Sequence, residues 1–205
     1  EKLRTRAVAH REAFAPQYSN MLAVKMLHRQ LEKRHDSCVI QYANSTAVRL
    51  GCLYARSHVF CNRGINGIEG SLSTAAGYSL ATAETVFCVI GDLSFFYDQN
   101  ALWNRNIQGN LRILLLNNGG GEIFAKFGGL RKSNARDIVM GSHHTTAEGI
   151  CQENNIGYLS AHNRGELQRN MELLTDSSTA RPMVLEVFTD TEEDMRIYQE
   201  YFNTL

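Results

Sequence analysis

The apolar positions of the chain fall into two alternating rhythms. In residues 19–34, SNMLAVKMLHRQLEKR, the side chains of Met21, Leu22, Met26, Leu27 and Leu31 recur at spacings that draw one face of a helix. The next run, SCVIQYANS (37–45), is short, β-branched and aromatic, and reads as a strand. The alternation then repeats. TAVRLGCLYA (46–55) predicts a short helix and SHVFCNRG (57–64) a second strand. EGSLSTAAGYSLAT (69–82) predicts a helix of small residues suited to close packing, and TVFCVIGD (85–92) a strand apolar on both faces. SFFYDQNALWNRNI (94–107) reads as helical and LRILLLNN (111–118) as the fourth strand.

After these comes a looser stretch, KFGGLRKSNARDIVMGSHH (126–144). Residues 125–143 are expected to be a mobile or partner-contacting loop. Helix, strand, helix, strand and helix are then predicted over TAEGICQENN (146–155), IGYLSA (156–161), GELQRNMELLTD (165–176), PMVLEVFTD (182–190) and EEDMRIYQEYF (192–202). Continuous apolar strands separated by amphipathic helices indicate one α/β domain over 19–205. Its expected form is an open, mostly parallel sheet of about six strands with helices on both faces. Residues 1–18 start directly in helical sequence without Met and read as a linker or a helix from a preceding domain.

Composition narrows the classes. The 21 basic and 21 acidic residues balance, which argues against a broad nucleic-acid footprint or membrane-surface binding. No apolar run reaches spanning length and no signal peptide opens the chain. The five cysteines, Cys38, Cys52, Cys61, Cys88 and Cys151, lack CxxC spacing and read as reduced, mostly buried thiols of a cytoplasmic protein.

In open parallel sheets ligands sit beyond the carboxyl ends of the strands. Four consecutive strands here end in polar punctuation: ANS (43–45), NRG (62–64), GD (91–92) and NNGGG (117–121). Asp92 offers a hard anionic oxygen, Asn118 a neutral carbonyl oxygen, and the glycines expose main-chain oxygens and permit close approach. Such a set suits Mg²⁺ that borrows further oxygens from a phosphate. Ser94 lies where a helix should start, and free N–H groups there favour phosphate. The pieces taken singly are also ordinary turns and loops.

Other chemistries fit poorly. Gly64, Gly67 and Gly70 follow G-x-x-G-x-x-G rather than the dinucleotide pattern, and neither a P-loop nor a G-x-S-x-G elbow is present. His143 and His144 lack the paired spacing of a zinc site.

Gly91-Asp92 followed after 118 − 92 = 26 residues by Asn118 closely resembles the thiamine-diphosphate motif, with Leu93 where that motif usually has Gly. GDLSFFYDQNAL, NNGGGEIF, NRGINGIEGSLSTAAG and NSTAVR together resemble the 2-succinyl-5-enolpyruvyl-6-hydroxy-3-cyclohexene-1-carboxylate synthases of menaquinone biosynthesis. The resemblance covers residues 40–125 well and the remainder in layout. It implies the thiamine-diphosphate-binding fold and the C-terminal cofactor-binding domain of a larger transferase, a carboligase. That family decarboxylates 2-oxoglutarate and adds the remaining succinyl-semialdehyde unit to isochorismate.

Residue by residue, the resemblance makes Asp92, Asn118 and the main chain of Gly120 ligands of Mg²⁺ or Mn²⁺. Gly91, Leu93, Ser94 and Gly119 become cofactor contacts, Ile68 the wedge that bends the cofactor, and Phe124 an apolar neighbour. Ser45, Arg49 and Arg63 become substrate-binding residues, since guanidinium groups pair bidentately with the carboxylates of polyacid substrates. No role is expected for Glu122. The glutamate that activates the aminopyrimidine ring is supplied in the family by an N-terminal domain, usually of a neighbouring subunit, in a homodimer or homotetramer. Nothing in this chain matches it, so these residues alone are expected to be inactive. The alternatives are an acetolactate-synthase-like decarboxylase and a non-catalytic α/β nucleotide- or partner-binding module.

Overall fold

The computed structural model describes residues 2–64, 67–126, 128–176 and 178–205. Six parallel strands form one sheet: β1 (Cys38–Tyr42), β2 (Phe60–Cys61), β3 (Thr85–Gly91), β4 (Leu111–Asn117), β5 (Gly157–Ala161) and β6 (Met183–Phe188), in the order β2-β1-β3-β4-β6-β5. The chain goes outward from β1 to β2 and returns to the other side of β1 as β3. That reversal opens a crevice at the carboxyl ends of β1 and β3, where ligands gather in folds of this kind.

The helices are α1 (Lys2–Ala13), α2 (Asn20–Leu31), α3 (Thr46–Tyr54), α4 (Ser71–Ala81), α5 (Asp92–Tyr97), α6 (Gly128–Arg131), α7 (Arg136–Met140), α8 (Glu148–Glu153), α9 (Arg164–Thr175) and α10 (Thr191–Asn203). Helix α2 packs against α3, α9 and α10, whereas α4 packs against α5. Strand β3 touches α3 and α4, and β4 touches α4, α5 and α9, so the central strands are covered on both sides. This explains why β3 and β4 read as unbroken apolar runs: Val86 to Ile90 and Ile113 to Leu116 are all buried.

Several elements differ from the sequence reading. The segment 94–107 is two pieces, α5 and a 3₁₀ turn at Gln99–Trp103. The break is at Asp98, whose buried carboxylate accepts from the N–H (2.8 Å) and Oγ (2.5 Å) of Ser73 in the first turn of α4. Strand β2 shrinks to two residues because only Phe60 and Cys61 find partners, at Gln41 and Tyr42 of β1. The stretch 125–143 is not one irregular loop. Its described residues include α6 and α7, and its end is tied to the strand-end loop after β4 by Gly121 N–H to Met140 O (2.6 Å) and His143 N–H to Gly119 O (3.0 Å).

Residues 2–18 are docked on this fold. Lys25 Nζ donates to the carbonyls of Arg11 (2.9 Å), Glu12 (3.3 Å) and Phe14 at the end of α1. His10 Nε2 meets Tyr201 O at 2.8 Å, and Tyr18 Oη donates to Ala161 O (2.7 Å) and Phe188 O (2.9 Å). All five cysteines are free, but only Cys88 and Cys151 are buried; Cys52 is exposed on α3. No described helix is long and apolar enough to cross a membrane.

Candidate functional site

A cleft of about 290 Å³ lies at the crevice predicted by the strand order. Ser45, Arg49 and Arg63 line it from the β1 and β2 side, and Gly91, Asp92, Leu93 and Ser94 from the end of β3. Asn118, Gly120 and Phe124 close it from the end of β4, and Ile68 also faces it. Of the candidate cofactor, metal and substrate residues, Gly119 alone is not part of the lining. Ile65 and Asn66, in the same stretch as Ile68, lie outside the described residues.

Asp92 organises the β4 loop. Its Oδ2 accepts from the main-chain N–H groups of Asn118 (3.2 Å), Gly119 (2.9 Å) and Gly120 (3.0 Å), and its Oδ1 from Leu93 N–H (2.7 Å). The loop wraps one carboxylate oxygen with three donors, a conformation that needs positive φ at Gly119 (79°) and Gly120 (155°). A Cβ on Gly120 would also meet Met140 O at 3.0 Å. Among the described residues Oδ1 keeps one hydrogen-bond partner, Leu93 N–H, and is the oxygen with room for a ligand.

The two asparagines point opposite ways, as neighbours at a strand end do. Asn117 turns back into the fold, donating to Glu186 Oε1 (2.7 Å) and Thr145 O (3.0 Å). Glu186 is fully buried and also accepts from Ala147 N–H (3.0 Å) and Tyr158 Oη (2.7 Å), which holds the 143–147 segment to the sheet. Burial and that carboxylate together raise the Tyr158 phenol well above its ordinary value. Asn118 turns to the cleft. Its Nδ2 donates to Glu122 Oε2 (3.3 Å) and Asp194 Oδ2 (3.4 Å), and its main-chain oxygen accepts from Thr191 Oγ1 (2.9 Å).

Glu122, expected to have no role, and His143, set aside as a zinc ligand, border the site, as do Asp194 and Asn20, which the sequence reading did not consider. Asp194 is 4% exposed on α10 and also accepts from Asn20 N–H (2.7 Å) and Thr189 Oγ1 (2.6 Å). Burial lifts its carboxyl to about 6, and the donated hydrogen bonds restrain the rise. A signal existed: Asp194 shares a helix face with Thr191, Ile197 and Tyr201, all buried, so an acid sits where the pattern asks for an apolar residue. His143 accepts Thr145 N–H at Nδ1 (3.1 Å) and turns Nε2 toward Asp92 Oδ2 at 3.4 Å.

The β1 end supplies a different chemistry. Ser45 has φ 71° and ψ −134°, a strained conformation for a residue with a Cβ, at the start of α3. Arg49 and Arg63 are exposed at the mouth of the cleft. Tyr198 on α10 is hydrogen-bonded to Arg49; burial raises the Tyr198 phenol and the guanidinium draws it back. Asn44 Nδ2 donates to Gly67 O (3.3 Å), next to Ile68.

The expected donors, one carboxylate oxygen, one amide oxygen and the main-chain oxygen of Gly120, which also accepts from Glu122 N–H at 3.0 Å, are of the kind that suits a hard divalent cation. Among the described residues no group of three or more His, Cys, Asp or Glu side chains forms a metal cluster, so the set does not resemble a zinc centre. Gly91 supports a ligand on independent grounds. Its φ of −79° and ψ of 160° suit any residue, and a Cβ there would meet nothing within 4 Å. The backbone therefore gives no reason for glycine, while the open space beside it lies in the cleft. Helix α5 has only six residues, so it offers the N–H groups of its first turn rather than a long dipole.

No family model matches the chain. It is similar to the 2-succinyl-5-enolpyruvyl-6-hydroxy-3-cyclohexene-1-carboxylate synthase of Phocaeicola vulgatus, 45% identical over 193 residues, which is 92% of this chain and 34% of that protein. The synthases of the same name from Bacteroides thetaiotaomicron (44%, the same coverage) and Flavobacterium johnsoniae (39%, 88% of this chain and 33% of that protein) are also similar. The chain thus spans about a third of the length of the curated relatives it matches. Among solved structures, benzoylformate decarboxylase from Polynucleobacter necessarius shares the fold, with a TM-score of 0.66 at 15% identity over 84% of this chain and 33% of that one.

Proposed function

We propose that this chain is the thiamine-diphosphate- and cation-binding portion of a 2-succinyl-5-enolpyruvyl-6-hydroxy-3-cyclohexene-1-carboxylate synthase. The observation that carries the reading is the junction of the β3 and β4 ends, where Asp92 gathers three N–H groups of the Asn118–Gly120 loop and keeps Oδ1 for a ligand. Asp92, Asn118 and the Gly120 main chain hold Mg²⁺ or Mn²⁺. Gly91, Leu93 and Ser94 receive the diphosphate, with Gly119 shaping the loop behind them. Ile68 would be the apolar wedge that bends the cofactor and Phe124 an apolar neighbour of it.

When bound, thiamine diphosphate supplies a nucleophilic carbon for attack on a 2-oxo acid. The chain's own contribution is binding and orientation. Arg49 and Arg63 pair with substrate carboxylates, Ser45 donates a hydrogen bond beside them, and the apolar lining keeps water from the reacting carbon. The substrates are 2-oxoglutarate and isochorismate, whose several carboxylates call for more than one guanidinium. A small monoacid, as an acetolactate-synthase-like enzyme takes, does not need both arginines. The activating glutamate comes from protein outside these 205 residues, on the same full-length chain or a neighbouring subunit of a homo-oligomer. Residues 1–18 lead into the cofactor domain that begins at residue 19.

Calorimetric titration of the full-length protein with thiamine diphosphate and Mg²⁺, with ADP and NAD as controls, tests the reading. Binding of thiamine diphosphate alone, dependent on Mg²⁺ and lost in Asp92→Ala, is expected. Preferential binding of ADP or NAD would replace it with the nucleotide-module reading. A proton-exchange assay at the cofactor's reactive carbon tests the missing glutamate: residues 1–205 alone are expected to give no acceleration.

A further inference from the structure

Asn118 coordinates a cation only if its amide oxygen, not its amide nitrogen, faces the cleft. Nothing intrinsic to asparagine decides this, because the two ends of the amide have nearly the same shape. The surroundings decide it here. The Asn118 side chain is flanked by Oε2 of Glu122 at 3.3 Å and Oδ2 of Asp194 at 3.4 Å, both from the nitrogen. Turned over, the amide would set its oxygen against two carboxylate oxygens, and both contacts would change from attraction to repulsion. The acceptors are themselves held. Asp194 is buried and fixed by Asn20 N–H and Thr189 Oγ1; Glu122 is 5% exposed, and its main-chain N–H donates to Gly120 O (3.0 Å), which anchors its backbone in the turn.

We propose that Asp194 and Glu122 are positioning residues that lock the Asn118 amide with its oxygen toward the cation. Neither touches the cation; each acts through Asn118. The inference rests on the proposed cation site and adds what orients one of its ligands. It also accounts for two buried acids beside a centre that has a single carboxylate ligand.

Mn²⁺ binding to the full-length protein in the presence of thiamine diphosphate, followed by the electron paramagnetic resonance of free Mn²⁺, reads the effect directly. Asp194→Asn keeps an acceptor for Asn20 N–H but turns an amide NH₂ toward Asn118, so the Asn118 amide is expected to turn over. Affinity for Mn²⁺ should fall about tenfold or more, the usual size for losing a partner behind a metal ligand. Glu122→Gln should lower it in the same direction. The decisive comparison is Asp194→Asn made in the Asn118→Asp background. A carboxylate has an oxygen at both ends and needs no orienting, so Asp194→Asn should lower affinity in the parent but not in Asn118→Asp; both members of the second pair share the added charge and its contact with Glu122, and general damage to the fold would lower affinity in both backgrounds. Undiminished affinity in both single variants, or the same loss when Asp194→Asn is added to Asn118→Asp, overturns the lock. A parent protein that takes up no Mn²⁺ with thiamine diphosphate overturns the cation site itself, a result distinguishable from the other two.

Discussion

Gly91→Ala should strengthen the fold and weaken the ligand. The two effects have separate origins. Gly91 has φ −79° and ψ 160°, which alanine adopts freely, and the added Cβ would lie more than 4 Å from every protein atom outside its chain neighbours. The folded state therefore gains no clash, while the unfolded chain loses conformational freedom, a net stabilisation of about 0.4–1 kcal/mol. The same methyl group would project where the diphosphate is proposed to lie against the backbone. Overpacking by one carbon against a tightly fitted partner costs about 1–3 kcal/mol, and at 1.4 kcal/mol per factor of ten that is roughly 5- to 150-fold in Kd. Urea unfolding of the ligand-free protein and calorimetry with thiamine diphosphate and Mg²⁺ measure the two halves on one variant. If Gly91→Ala bound thiamine diphosphate as well as the parent, the space beside Gly91 would not be the diphosphate site. A fall in stability would show that the glycine serves the fold.

Burial holds the His28 imidazole down at about 4, below its ordinary 6.5, against Tyr42 Oη at 2.7 Å. Its folded value is depressed, so its stabilising contribution is complete above pH 6.5 and is lost as the pH falls through 4. The drop corresponds to about 3 kcal/mol. His28→Gln should remove that part of the acid sensitivity, read as the parent-minus-variant difference in urea unfolding at pH 7.5 and pH 4.5; parallel curves would refute it. Arg112 is 1% exposed, and its guanidinium donates to Asp176 O (3.0 Å) and Arg181 O (3.3 Å) past the carboxyl end of α9. Arg112→Met strands both carbonyls and should cost about 2–4 kcal/mol of unfolding free energy without altering ligand affinity. Tyr198→Phe frees the Arg49 guanidinium and, in the full-length protein, should raise KM for the proposed substrate 2-oxoglutarate about three- to tenfold with kcat little changed; an equal loss in kcat would assign Tyr198 a part in the chemistry.

The local pattern of residues was sufficient for most of the elements and for the strand ends that meet at the cleft. A buried parallel strand must be apolar on both faces, so β3 and β4 were legible from TVFCVIG and LRILLLN alone. Polar residues clustered at strand ends located the cleft, because ligands in such sheets gather at one edge, while Arg49, Ile68, Leu93 and Phe124 of its lining were singled out by the resemblance alone. Where a side chain's role depends on a partner distant in sequence, the letters were silent. Nothing around Asp98 says that it leaves its own helix to hold Ser73 of α4. Strand alternation implies that Asn117 and Asn118 face opposite ways, but which one meets the cleft depends on Glu186, 69 residues away, drawing Asn117 inward. Glu122 looks like an ordinary acid, and Asp194 only like an acid out of place on an apolar face, until α10 packs beside the β4 loop and brings both to one amide nitrogen. Periodicity and strand-end chemistry are properties of neighbours along the chain, and sequence determined them. The orientation of the amide is a contest among charges that only the folded chain brings together, and tertiary structure decided it.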